Sequence, residues 1–250
     1  MSSHHNSLRW RSGVNLVVIA AALVAITVIT NAYSFNLMLR NFRQSLSSTA
    51  QIYTEQISGK VDKINSGSLE LVSLAASSQN YYTSSPLGRY LTQQDILTRL
   101  QDRIRYVESS DLYFFYRTDS DELLTALSNR PSTGSSYFWN QYLMLPPTQP
   151  ANTWFSVTCN GETWLMCYYN VSQVRVGAAV RAKTLLQSLY ADTGLVQDSG
   201  FALAGLDGTI VYSSQPDLMA CGTSLAGHIP ASLIVESHTV PEVGTLLLFR

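Results

Sequence analysis

Between Arg11 and Arg40 no side chain carries a charge, and the centre of that run, residues 16–30, reads LVVIAAALVAITVIT. A bilayer core about 30 Å thick needs roughly 20 mostly apolar residues in helical form, and residues 14–32 supply them. Charge inside such a segment is costly, so its absence over the whole run predicts a membrane-spanning helix. After residue 40 the pattern changes to mixed polar and apolar positions of the kind that build a folded domain.

Orientation follows from the flanks. Arg9 and Arg11 precede the run and Arg40 and Arg43 follow it, so positive charge alone is nearly balanced. A short tail is easily retained inside, whereas a long domain translocates largely regardless of charge. The N-terminus is therefore expected in the cytoplasm and the domain outside. A cleaved signal peptide, with a small-residue site near Thr30-Asn31-Ala32, is the competing reading. The apolar core exceeds the roughly 7–15 residues of a typical h-region, which favours an anchor; either reading exports the domain.

Helical periodicity resumes over residues 44–80, where Tyr53, Ile57, Val61 and Ile64 recur at steps of four and three, followed by Leu69, Leu71, Leu74 and Ala75. The stretch NYYTSSPLG at residues 80–88 reads as a break. A second helix is predicted from residue 92 or 93 to 107, with Ile96, Leu97, Leu100, Ile104 and Val107 on one face and Arg99, Arg103 and Arg105 on a solvated one.

From Asp111 the period falls to two. DLYFFYRT, an acidic tip DSDE and LLTALS read as strand, turn and strand. Breaks surround an aromatic knot, Tyr137-Phe138-Trp139, within residues 129–152. TWFSVTC and ETWLMCYYNV flank Asn160-Gly161, a strong hairpin signal that pairs Cys159 with Glu162. QVRVGAAVR is a further strand running into a short helix over residues 182–190. GFALAGLDGTIVYSS forms two strands around Asp207-Gly208, and SLIVESHTV and VGTLLLFR are the last two. Helices followed by a larger and then a smaller antiparallel set of strands make the fold class α+β.

Charged residues are 13% of the chain, about half the usual share, and the net charge is -1. That balance provides no electrostatic footprint for nucleic acid. The three cysteines, Cys159, Cys167 and Cys221, are too few for a disulfide framework, and they lack the close paired spacing of a zinc site with His228 or His238. No nucleophile–base spacing, paired acids or phosphate loop stands out, so no catalytic residue, metal or cofactor is assigned. The acidic tip Asp119, Asp121 and Glu122 reads as a solvated turn.

The order of these parts resembles the double Cache sensor domain of bacterial membrane receptors. Two local stretches carry the likeness: Val176-Gly177-Ala178-Ala179-Val180 leading into a helix, and the hairpin Phe201-Ala202-Leu203-Ala204-Gly205-Leu206-Asp207-Gly208-Thr209-Ile210-Val211-Tyr212-Ser213. The resemblance covers residues 35–250. It implies a cytoplasmic tail at 1–12, a transmembrane helix at 13–35, a stalk and membrane-distal module at 36–190, and a membrane-proximal module at 191–250 that is incomplete at its end. It further implies a small-molecule ligand outside the cell, a homodimer formed through the stalk and membrane helices, and an output module, a sensor histidine kinase foremost, beyond Arg250. A membrane-anchored exported adaptor without a ligand is the alternative.

The amino-acid-binding branch of that family has an Arg-x-Trp-Tyr cluster and an Asp that pairs with the ligand ammonium. Here Tyr137-Phe138-Trp139-Asn140 lacks the arginine, and Val180-Arg181-Ala182 offers a cation in place of the acid. A buried ammonium without a carboxylate is costly, so an acidic or ring-containing ligand is expected instead. The expected ligand contacts are Trp139, Tyr168 and Arg181, with Tyr113 and Arg117 as a further pair whose facing strand alternation leaves open. The plainer alternative makes Trp139, Trp154 and Trp164 core residues.

Overall fold

The computed structural model describes residues 3–78, 85–106, 110–128, 151–159, 161–191, 200–225 and 234–249. The chain divides into two compact units, Met1–Thr49 and Ala50–Arg250. Helix α1, Ser3–Ser78, contributes to both. In the first unit every side chain from residue 16 to 45 is exposed, and this part of the helix is long and apolar enough to cross a membrane.

In the second unit α1 presents one stripe to a core. Ala50, Tyr53, Ile57, Val61, Ile64, Leu71 and Ala75 are buried at steps of three or four, with one seven-residue step where Ser68 occupies the intervening position. The Ser68 hydroxyl satisfies itself on the carbonyl of Ile64 at 3.0 Å. Helix α2, Pro86–Tyr106, buries Ile96 and Leu100. It begins six residues before the predicted start, because Ser85 caps it and Pro86 opens it. The Gly88 N–H donates to Ser85 Oγ at 3.3 Å, and proline needs no N–H in a first turn. What looked like loop chemistry is helix-start chemistry. Arg103, expected on a solvated face, pairs with Glu70 of α1.

Strands β1 Leu112–Arg117, β2 Glu122–Leu127, β3 Phe155–Cys159, β4 Glu162–Val171 and β5 Val174–Arg181 form one antiparallel sheet in the order β2-β1-β5-β4-β3. The predicted pairing of Cys159 with Glu162 is present. The chain then passes through two short helices, α3 Ala182–Leu185 and α4 Gln187–Ala191, where one was expected. Strands β6 Gly200–Gly205, β7 Ile210–Ser213, β8 Ile234–Val240 and β9 Gly244–Phe249 make a second antiparallel sheet ordered β7-β6-β9-β8.

One core runs beneath both sheets. It joins the α1 stripe to Tyr113, Phe115, Leu165, Cys167, Val176 and Val180 of the first sheet and to Phe201, Leu203, Val240, Leu246 and Leu248 of the second. Polar ties pin the helix at two heights: Lys60 Nζ donates to the Leu185 carbonyl at 3.1 Å, and Asn65 Nδ2 donates to Glu242 Oε2 at 2.6 Å. Cys167 and Cys221 are free thiols; Cys167 is buried, and burial pushes its thiol up to about 12.

Tyr113 crosses this core to reach α1. Its hydroxyl donates to the Ile64 carbonyl at 3.4 Å, and burial pushes the phenol up to about 12. A Cβ built on Gly67 would stand 2.5 Å from that hydroxyl. Gly67 is the slot that admits the ring. Replacing it with Ala gains about 1 kcal/mol of helix propensity and overpacks the slot at a cost of about 1–3 kcal/mol. Gly67→Ala is therefore expected to destabilise the full chain in detergent, and Gly67→Ala/Tyr113→Phe to recover most of the loss, as read by denaturant unfolding. A Gly67→Ala variant more stable than wild type would refute the slot.

Candidate functional site

Alternation along β1, β4 and β5 sorts their side chains onto two faces. Register lines fix the sorting: Tyr113 lies opposite Ala178, which lies opposite Cys167, and Phe114 lies opposite Gly177, which lies opposite Tyr168. The first line belongs to the core under α1. The second belongs to a separate cluster on the outer face, made of Leu112, Phe114, Val157, Trp164, Met166, Tyr168 and Ala179.

The expected ligand contacts are thereby divided. Tyr168 and Arg181 belong to the outer face, Tyr113 and Arg117 to the inner one. Tyr113 is committed to the helix slot. Arg117 is bound by Asp119, whose carboxyl it holds below the usual carboxylate range, at the β1–β2 turn. These two residues do not share a pocket with Tyr168, because odd positions of β1 point toward α1. Trp139 lies outside the described residues.

The acidic tip is tethered rather than simply solvated. Asp119 holds Arg117, Asp121 Oδ1 accepts the Tyr116 hydroxyl at 2.7 Å, and Glu122 accepts from Gln93 of α2. Tyr116 is thus fixed at the edge of the outer face, and burial followed by the Asp121 bond raises its pKa.

Beside it stands Arg175, which the sequence reading passed over. Arg175 pairs with Tyr116 across one strand boundary and with Asn170 across the other. It is 8% exposed, with its guanidinium 5.5 Å from the Tyr116 ring centroid and 5.3 Å from that of Tyr168. Desolvation lowers its pKa, yet a guanidinium stays charged, so the outer face contains a buried cation between two aromatic rings. The ring of Phe114 closes the adjacent position: a Cβ on Gly177 would fall 2.9 Å from Phe114 Cζ and 2.3 Å from the Cys167 carbonyl. A signal for Arg175 was available. It stands six residues before Arg181 in one strand, and even spacing puts both on one face.

The two cations occupy opposite ends of β5. Six residues at about 3.3 Å each separate their Cα atoms by about 20 Å, too far for one small ligand to hold both. At the distant end, Arg181 Nη2 donates to Asp111 Oδ1 at 2.7 Å, and the Arg181 backbone N–H donates to Asp111 Oδ2 at 2.9 Å. The Asp111 side chain is 2% exposed. The guanidinium lies 5.6 Å from the Trp164 ring centroid, and its Nε is buried without a partner. A cavity of about 590 Å³ opens here, bordered by Arg181 and by residues of α3, α4 and the second sheet. Among the described residues no group of three or more His, Cys, Asp or Glu is gathered as a metal site.

No family model matches the sequence, and neither does any curated protein. Solved structures do match. The periplasmic sensory domain of the Campylobacter jejuni chemoreceptor Tlp1 aligns with a TM-score of 0.51 at 11% identity, covering 74% of this chain and 76% of that one. The Vibrio cholerae LuxQ periplasmic domain aligns at 0.43 and 12% identity, covering 81% of this chain and 95% of that one. The ligand-binding domain of the Pseudomonas aeruginosa PAO1 amino acid chemoreceptor PctB, in complex with L-Gln, gives 0.47 and 13%, covering 82% of this chain and 88% of that one. At such identities the first match speaks for fold alone: this chain shares the fold of that one sensory domain.

Losing one partner of a buried ion pair strands the other and, here, the backbone N–H of Arg181 as well. Because Arg181 retains some solvent contact, Asp111→Ala is expected to cost about 2–4 kcal/mol of stability. Urea unfolding of the full chain in detergent measures it, and a loss below about 0.5 kcal/mol, the range of ordinary surface substitutions, would show that the pair is not buried as described.

Proposed function

We propose that this chain is the extracytoplasmic ligand-sensing module of a bacterial membrane receptor, and that its ligand is a small anion taken on the outer face of the five-stranded sheet. The single observation that carries the ligand assignment is Arg175, a cation buried between Tyr116 and Tyr168. A ligand carboxylate matches the planar donor fork of a guanidinium, and here that fork is held against two ring faces. The rings add apolar area, as small-molecule sites require.

The fold shared with periplasmic sensory domains supports the placement outside the cytoplasm, as does the apolar segment of α1. The proposed division is a tail at 1–12, a membrane helix at 13–35, a stalk with the ligand-binding module at 36–190 and a smaller module at 191–250. We assign the exposed Ile52 and Leu69 of α1 to a homodimer contact through the stalk, and the receptor's output foremost to a histidine kinase. The anionic ligand sets this chain apart from an α-amino acid receptor. Asp111 is already paired with Arg181, and Asp121 accepts from Tyr116, so neither carboxylate is left for a ligand ammonium beside Arg175.

Two measurements test this. A reporter joined after Lys60 is expected to be active only outside the cytoplasm, with the protein in the membrane fraction; activity inside would invert the topology. In a thermal-shift screen of small metabolic anions against the full chain in nanodiscs, at least one is expected to stabilise wild type. Arg175→Ala should weaken that ligand by tenfold or more, about 1.4 kcal/mol, and Tyr168→Ala should weaken it as well. Unchanged affinity in the Arg175 variant would remove the site, and no stabilising anion at all would favour an anchored adaptor.

A further inference from the structure

The other end of β5 carries a cavity that the outer-face site does not use. Its described border comes from three parts of the fold: Gly161, Glu162 and Thr163 opening β4, Arg181, Lys183, Thr184 and Gln187 where β5 turns into α3 and α4, and Tyr212 with Cys221 from the second sheet and its following loop. At about 590 Å³ it falls within the range of small-molecule sites. Most of its described border residues are polar in type, and the surface they present to it is mixed, polar groups alternating with apolar stems.

The chemistry of the border selects a ligand class. Arg181 and Lys183 supply two positive charges to the border, and Arg181 Nε is buried without a hydrogen-bond partner. Asp111 occupies Nη2 of the same guanidinium, so Arg181 is held in position without all its donors being used. Thr163, Thr184, Gln187 and Tyr212 offer hydroxyl and amide groups. Glu162 is an acceptor suited to ligand hydroxyls and opposed to a second negative charge. One carboxylate joined to several hydroxyls satisfies this arrangement. A phosphate dianion would meet Glu162, and a ligand without polar groups would use none of the border's donors.

We propose that this cavity is a second ligand site, for a polyhydroxy carboxylate of the sugar-acid class, lying between the two sheets. The site spans the connection through which the first sheet passes to the second. Arg181 is the last residue of β5, Lys183 and Thr184 belong to α3, and Tyr212 belongs to β7. A ligand held by all of them braces the connector against both sheets. The proposal is independent of the outer-face reading, since Arg175 stands about 20 Å away along the strand.

The test is calorimetric titration of the full chain in nanodiscs with D-gluconate, and with D-glucose as the uncharged counterpart. Gluconate is expected to bind once per chain and glucose to bind at least about tenfold more weakly. Lys183→Ala and Thr184→Val should each weaken gluconate by about fivefold or more, a charge-assisted and a neutral hydrogen bond respectively. Arg175→Ala should change it less than about twofold, as expected for a site with no shared partner. Absent gluconate binding, equal binding of glucose, or an unchanged affinity in both cavity variants overturns the proposal. Gluconate binding lost in Arg175→Ala and kept in Lys183→Ala also overturns it, while leaving the outer-face site standing.

Discussion

The apolar stripe of α1 between Ala50 and Ala75 determines where the rest of this unit can go. Ile57, Val61, Ile64 and Leu71 are each essentially fully buried, and each contributes about 1.5–3 kcal/mol by leaving water. A stripe that long needs a cover of matching length, and no single sheet provides it. Two sheets do so in succession, the first through Tyr113, Phe115 and Val176, the second through Leu203, Leu246 and Leu248. Lys60 and Asn65 fasten the helix to the connector and to the β8–β9 turn. The helix is therefore a shared wall rather than a handle attached to a finished domain.

That wall also decides which residues are free for recognition. One face of the five-stranded sheet is consumed by α1, so Tyr113, however suitable its chemistry, serves packing. The proposed recognition sites are therefore on the opposite face and at the strand ends. There β5 carries its two cations at even spacing, each given a different solution to burial. Arg175 rests between tyrosine rings, while Arg181 takes a buried carboxylate and stacks on Trp164. The first arrangement holds a cation against two aromatic faces; the second fixes the point where the strand becomes a helix.

Much of this was legible in the sequence. The uncharged run, the helical stripe, the Asn160-Gly161 hairpin and the α+β order are all periodic or turn-coded, hence local. The start of α2 was missed because Ser-Pro and Gly serve loops and helix starts alike, and only the Ser85 bond to Gly88 distinguishes them. The site was harder. Tyr168 and Arg181 lie on the outer face of the first sheet and Tyr113 and Arg117 on the inner one, a division that alternation alone did not orient, and Arg175 was overlooked. A single strand reveals which residues share a face without revealing which face meets the helix. That choice is made by partners distant in sequence, here Gly67 receiving the Tyr113 hydroxyl.

If the stripe is the shared wall, α1 from Ala50 to Ser78 and both sheets must open together. Native-state hydrogen exchange on the full chain in nanodiscs measures this directly. The amides of Ile57, Val61 and Ile64 are expected to exchange with the same opening free energy and denaturant dependence as those of Val176 in β5 and Leu246 in β9. Helix amides exchanging through a separate, much lower-energy opening, with the sheets still protected, would contradict the account.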